Sequence, residues 1–306
     1  MRAVFAWARL TRISLFPTAV ADIVAGAVLA SGRWPGLDVL WVALGSLCVY
    51  HGGMVLNDWA DQGHDLETRP DRPLTSGSIR PTVALVVGWL LIGAGPLVAL
   101  PAGREPSGLL VAAGISAVVY DLWGRGPLLG PLLIAACRAL NLGAGVAIAA
   151  AQPLGFAPIP AVVVAAPLLY GAYVFTVSRL GRLEDGEDEA PLARRPSRFL
   201  ILAAIWLVAA GALAFFASAR ADSYGPWPAL VLAGVGAFGL VQLAVSTPLW
   251  TGPLVGRAMG QALRRLLVFT AALALAAQGV TGLVAAAAIL CGYAISHTLG
   301  RWFPPS

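Results

Sequence analysis

Asn57-Asp58-Trp59-Ala60-Asp61-Gln62-Gly63-His64-Asp65 closes an apolar run and gathers three carboxylates and a carboxamide in a chain with few charges elsewhere. At about 100° per residue, a helix sets Asn57, Asp58, Asp61 and Asp65 within an arc of roughly 100°. Like charges held that close repel unless a cation or a binding partner compensates them. The compensator with matching chemistry is a hard divalent ion such as Mg2+, which takes oxygen ligands and keeps open positions for phosphate. The stretch therefore predicts a metal-pyrophosphate site at a membrane edge.

Outward from that stretch the chain is apolar. Of its 306 residues 58% are hydrophobic and 11% charged, with a mean hydropathy of +0.80. Soluble domains carry about 25% charged residues, so a soluble enzyme is excluded and an integral membrane protein expected. Nine apolar runs approach the roughly 20 residues that cross a bilayer: about 14–31, 38–56, 82–101, 108–123, 128–151, 158–178, 199–218, 227–246 and 266–296. The last is long, and Gly279 and Gly282 are places where it can kink. Cys48, Cys137 and Cys291 are too scattered to hold a metal. No basic run is interleaved with aromatics, so nucleic acid is not an expected partner.

All 20 basic residues are arginine. With the N-terminus inside, fifteen arginines fall on cytoplasmic segments and four (Arg33, Arg104, Arg220 and Arg301) on the other face, while Arg138 lies within a span. That is a positive-inside bias, and it places the acidic loops on the cytoplasmic side of a bacterial-type inner membrane. Five acids (Asp58, Asp61, Asp65, Glu67, Asp71) follow span two, and five more (Glu184, Asp185, Glu187, Asp188, Glu189) follow span six. Acids contribute little to topology, so the bias does not explain them. Two acidic loops four spans apart suggest a single domain over 1–306 with two pseudo-repeats, about 1–125 and 126–250, plus a C-terminal span. Halves packed around a common centre would bring both loops over one cavity mouth.

The first loop continues as Arg69-Pro70-Asp71-Arg72-Pro73-Leu74-Thr75-Ser76-Gly77. Arginine suits phosphate because it donates two parallel hydrogen bonds. Carboxylates for metal followed by Arg69 and Arg72 for phosphate make a coherent diphosphate site; a solvated, charge-balanced loop is the other reading. The complete Asn57-Asp58-x-x-Asp61-x-x-x-Asp65 spacing followed by Arg72-Pro73 resembles the first aspartate-rich motif of the UbiA superfamily of membrane prenyltransferases. The nine spans and the acidic loop after span six resemble the same family. The resemblance implies an all-α bundle around a central cavity, and Mg2+-dependent transfer of an isoprenoid from a prenyl diphosphate to an acceptor, usually aromatic.

The second loop departs from the family's D-x-x-x-D: Glu184-x-x-x-Asp188 and Asp185-x-x-x-Glu189 both fit it loosely. Glutamates in place of aspartates, a degraded second metal site and a hydrophilic loop tip remain open. At the end of span four, the resemblance gives Tyr120 and Arg125 the place of a tyrosine-lysine pair that contacts diphosphate; an interfacial anchor is the alternative. Arg138 and Asn141 lie one turn apart inside span five, and a charge at that depth faces a cavity or a partner, for which Asp121, Asp22 and bound diphosphate are the candidates. Cys137-Arg138-Ala139-Leu140-Asn141, Leu10-Thr11-Arg12, Pro17-Thr18-Ala19-Val20-Ala21-Asp22-Ile23 and Ser178-Arg179 are similar to a UbiA-like subgroup, EboC, linked to handling a small secondary metabolite.

On the resemblance, Asn57, Asp58, Asp61 and Asp65 hold metal from one side, and Glu184, Asp185 and Asp188 from the other. Arg69, Arg72, Tyr120, Arg125, Arg138 and Asn141 bind the diphosphate or substrate, with Asp58, Asp61, Asp65, Arg72 and Arg125 as the catalytic set. The acceptor is a small aromatic molecule or a lipid. A UbiA-like carrier without catalysis is the competing expectation.

Overall fold

The computed structural model describes residues 2–34, 36–150, 160–184, 195–218, 226–277 and 279–303. The fold is all-α. A short amphipathic helix α1 (Arg2–Leu10) leads into α2 (Phe16–Ser31), and α3 (Asp38–Ala60) runs into the short α4 (Gln62–Thr68). Then come α5 (Pro81–Ala99), α6 (Arg104–Leu122), α7 (Leu129–Ala150), α8 (Pro160–Gly181), α9 (Arg195–Ser218) and α10 (Trp227–Ser246). The chain ends in α11 (Gly252–Arg264), α12 (Leu266–Ala274) and α13 (Gly279–Trp302). Among the described residues nine helices are long and apolar enough to cross a membrane. Their boundaries follow local chemistry: Pro17 and Pro81 open α2 and α5, where no N–H bond is lost, and Gly32 closes α2 at a left-handed φ of 65°.

Small residues set the spacing around the centre. A Cβ on Gly26 of α2 would lie 2.3 Å from the Leu142 carbonyl of α7, and one on Gly145 of α7 would lie 2.3 Å from the Ile23 carbonyl. On the other side, a Cβ on Gly45 of α3 would lie 2.5 Å from the Gly95 carbonyl of α5. Backbones approach this closely only where side chains are absent, the usual device for packing helices in lipid. The result draws α2, α3 and α7 around one interior space.

The C-terminal third corrects one expectation. The apolar run 266–296 is not one span: α12 stops at Ala274, and α13 begins at Gly279, whose φ of 74° is left-handed. At 1.5 Å per residue α12 is about 14 Å long, short of a bilayer, and it is buried along almost its whole length. It continues the amphipathic α11, and α13 then returns antiparallel to α2. Gly292 of α13 sits against Pro17, and the Phe303 ring packs on Phe5 with centroids 5.0 Å apart. Arg301 therefore lies at the same end of the bundle as Arg9 and Arg12, not at the opposite face, which sharpens the arginine asymmetry.

Candidate functional site

Helical hydrogen bonding runs through the α3–α4 joint, with Asp61 N–H donating to the Asn57 carbonyl (3.0 Å) and Asp65 N–H to the Asp61 carbonyl (2.9 Å). Of the predicted common face of Asn57, Asp58, Asp61 and Asp65, three members (Asn57, Asp61 and Asp65) line the cavity across the change of helix, whereas Asp58, at the edge of the arc, does not. Each acid meets an arginine. Asp58, buried, pairs with Arg12 (3.1 Å) and Arg72 (3.5 Å); Asp65, also buried, pairs with Arg72 (2.5 Å). Asp61, nearer the opening, pairs with Arg125. The repulsion inferred from the motif is thus relieved by the protein's own cations, and repulsion alone does not demand a metal.

Three loops deliver those cations. Arg72 is buried, and the turn that carries it is tied by Thr75, whose hydroxyl sits 3.0–3.1 Å from the carbonyls of Arg69, Pro70 and Arg72, any one of which accepts its proton. Arg12 joins α1 to α2 in a left-handed conformation (φ 49°, ψ 48°), a sparsely populated region for a residue with a side chain. Its guanidinium bridges Asp58 and the Asn57 side-chain oxygen (3.3 Å). Arg125 sits after α6, and its pKa is held below the ordinary value by burial and then by the facing Arg182; an arginine so perturbed remains a cation at neutral pH. Arg182 donates to the Arg125 carbonyl at 2.9 Å and so ties the start of the second loop to this corner.

Asn57 has both ends of its amide occupied, because its nitrogen donates to Asp121 at 3.0 Å. Arg138 pairs with Asp22 (3.2 Å) rather than with Asp121. Asp22 also accepts from the Tyr170 hydroxyl (2.5 Å) and from the Asn141 amide (2.9 Å), while Asn141 accepts from Ser46 (2.7 Å).

These groups surround one cavity of about 750 Å³. Asn57, Asp61, Asp65, Arg69, Arg72, Tyr120, Arg125, Arg138, Asn141 and Glu184 all line it, and apolar side chains such as Ala117, Ile134, Val177 and Leu266 fill the wall between. Asp58 lies behind the wall, held by Arg12 and Arg72. Glu184, the first acid of the second loop, packs against Gly256 of α11, where an added Cβ would lie 2.4 Å from its carboxylate. Asp185 and Asp188 lie outside the described residues. Arg12 and Asp121 belong to the same wall and were not among the sequence candidates for the site. Arg12 is 45 positions from Asn57, so no local pattern signals it.

Among the described residues no three acidic, histidine or cysteine side chains converge to hold a metal by themselves, so a fit to Mg2+ rests on two carboxylates completed by the substrate's phosphates. Asp61 and Asp65 offer carboxylate oxygens at the cavity wall beside the Asn57 carboxamide, and Mg2+ is commonly held by one or two carboxylates together with substrate phosphates.

A membrane-spanning helical bundle with a charged mouth over an apolar interior is the class that fold and site define. The chain matches the UbiA prenyltransferase family over residues 14–247 and belongs to it. It is 32% identical over 108 residues to a 4-hydroxybenzoate octaprenyltransferase of Janthinobacterium sp. (strain Marseille), a match that covers 30% of this chain and 38% of that protein. Two structures of a UbiA homologue from Archaeoglobus fulgidus, one bound to GPP and Mg2+ and one to DMAPP and Mg2+, share the fold. Each has a TM-score of 0.62 over 95% of this chain and 99% of theirs, at 14% and 16% identity.

Proposed function

We propose that this protein catalyses Mg2+-dependent transfer of an isoprenoid group from a prenyl diphosphate to a small aromatic or lipid acceptor within the membrane. One observation carries the reading: a single cavity joins carboxylates and arginines at its mouth to an apolar interior. That is the division of labour a prenyl diphosphate requires. The Archaeoglobus homologue's complexes with GPP, DMAPP and Mg2+ support it.

Asp61, at the α3–α4 joint, and Asp65 of α4 would hold the metal, with Asn57 beside them, Asp58 behind them, and Glu184, Asp185 and Asp188 opposite. The chemistry Mg2+ supplies when bound is Lewis-acid neutralisation of the departing diphosphate. Arg69 and Arg125 at the mouth offer paired donors to diphosphate oxygens, and Arg72 and Arg12 keep the acids behind them in place. Charge placed in advance where the leaving group develops its own charge lowers the barrier without reorganisation. The apolar wall holds the isoprenoid and keeps water from the allylic cation. The arginine-rich end carries the mouth, so the site opens toward the cytoplasm of a bacterial-type inner membrane.

A second reading, a carrier of a small metabolite as in the EboC-like subgroup, draws on the arginine pairing of Asp58, Asp61 and Asp65. Purified protein incubated with radiolabelled geranyl diphosphate, longer prenyl diphosphates, Mg2+ and an acceptor panel separates the two. Transfer of label to an acceptor with release of diphosphate supports the enzyme. Binding of the donor with no release across the panel supports the carrier.

A further inference from the structure

One buried acid at the mouth has no arginine. Among the described residues the buried carboxylates are Asp22, Asp58, Asp65 and Asp121. Each of the first three has an arginine within 3.5 Å: Arg138 at Asp22, Arg12 and Arg72 at Asp58, and Arg72 again at Asp65. Asp121 forms no ion pair with any described residue. Its side-chain partner is the neutral Asn57 amide, which donates to Oδ1 at 3.0 Å. A carboxylate taken out of water is stable when it is paired or fully hydrogen-bonded, and one amide leaves most of this charge uncompensated.

The other oxygen is open. Oδ2 has no hydrogen-bond partner among the described residues, yet it is not one of the polar atoms sealed in the interior. The residue is 4% exposed and lines the cavity, so the space that Oδ2 meets is the cavity.

The neighbours put Asp121 within the mouth. It is the penultimate residue of α6, at the same end of the bundle as Asn57. Arg125 links it to Asp61: Nε donates to the Asp121 main-chain carbonyl at 3.2 Å, and Nη1 pairs with the Asp61 carboxylate. Asn57, Asp61 and Asp121 therefore stand on adjoining walls. Asp61 and Asp65 each face an arginine, whereas the charge of Asp121 is left for an incoming cation.

We propose that Asp121 is a metal ligand supplied by α6, outside both acidic loops, and that its Oδ2 binds the divalent cation that accompanies the diphosphate. The proposal rests on the metal-diphosphate reading of the mouth and adds a ligand from a third wall. Mg2+ takes few protein oxygens, because phosphate and water complete its octahedron. An unpaired carboxylate attracts such an ion more strongly than one already facing an arginine. A mere tether between α3 and α6 would need only an oxygen for the Asn57 amide, and an asparagine supplies that equally well.

The test compares wild type with Asp121→Asn, as full chains in nanodiscs. The substitution keeps an oxygen for Asn57 and removes the charge. An inert thio-analogue of geranyl diphosphate is titrated calorimetrically with and without Mg2+, and thermal unfolding is followed without metal. Wild type should bind the analogue more tightly with Mg2+, and Asp121→Asn should lose at least about tenfold of that gain. Without Mg2+ the variant should bind the analogue at least as tightly as wild type, since one negative charge facing the diphosphate is gone. It should also unfold at no lower a temperature, since a buried charge without a counter-ion is gone. A variant that keeps the full Mg2+ gain overturns the proposal. So does one that unfolds at a lower temperature, or one that loses the analogue with and without metal alike. A wild type with no Mg2+ gain overturns the metal-diphosphate reading, and this proposal with it.

Discussion

Replacing Arg72 with Met should separate the buried half of the arginine lock from its exposed half. Arg72 is 6% exposed and faces two carboxylates, Asp58 at 3.5 Å and Asp65 at 2.5 Å, which are 2% and 3% exposed. Arg125 and Asp61 form a pair of the same formal charge at 35% and 22% exposure. Removing one partner of a buried pair strands the other charge and costs about 3–5 kcal/mol. Removing one partner of a solvent-screened pair costs at most about 1 kcal/mol. At roughly 2 °C per kcal/mol for a chain of this size, Arg72→Met should lower Tm by roughly 6–10 °C and Arg125→Met by no more than about 2 °C. A thiol-reactive dye reads the transition as Cys48 and Cys137, both half-buried, become accessible; the exposed Cys291 is first replaced by Ser. An Arg72→Met protein as stable as wild type, or two variants that fall equally, would refute the claim that Arg72 holds a buried acid pair.

Other expectations follow from the same geometry. Asp61→Asn should keep the fold, since Asp61 is the most exposed acid of the motif, yet reduce Mg2+-dependent diphosphate release by at least about 100-fold; release at the wild-type rate would remove Asp61 from the metal site. Gly145→Ala should fail to yield folded protein, because its Cβ would meet the Ile23 carbonyl at 2.3 Å. Gly143→Ala two residues away, with its nearest neighbour at 3.8 Å, should fold normally; size-exclusion profiles in detergent decide. Cysteines introduced at Gly63 and Gly300 should label from the same side of the membrane, since the end of α13 meets α1. Labelling from opposite sides would contradict the return of α13.

The spans were legible because burial in lipid leaves a plain hydropathy record, and eight of the nine runs lie within a few residues of their helices. The ninth misled because residues 266–296 carry no charged side chain, although Gln278 interrupts the run, and the structure ends α12 at Ala274 and begins α13 at a left-handed Gly279. Helical spacing puts Asn57, Asp58, Asp61 and Asp65 on one face, which is right for Asn57, Asp61 and Asp65, while Asp58 at the edge of that arc turns behind the cavity wall to Arg12 and Arg72. What neutralises these acids was not legible, since Arg12, Arg72 and Arg125 arrive from three separate loops. The partner of Arg138 was narrowed to Asp22, Asp121 or bound diphosphate. Choosing Asp22 takes the close approach of α2 and α7, which the small residues Gly26 and Gly145 allow. Asp121 then falls to Asn57, a contact with no sequence signature.

The most direct test of the mouth as a metal-diphosphate site is calorimetric titration of the inert geranyl diphosphate analogue into the wild-type protein, with and without Mg2+. Binding that appears with Mg2+, disappears when the metal is chelated and is lost in Asp61→Asn is the predicted outcome. Equal binding with and without the metal, or binding that Asp61→Asn leaves intact, would contradict it.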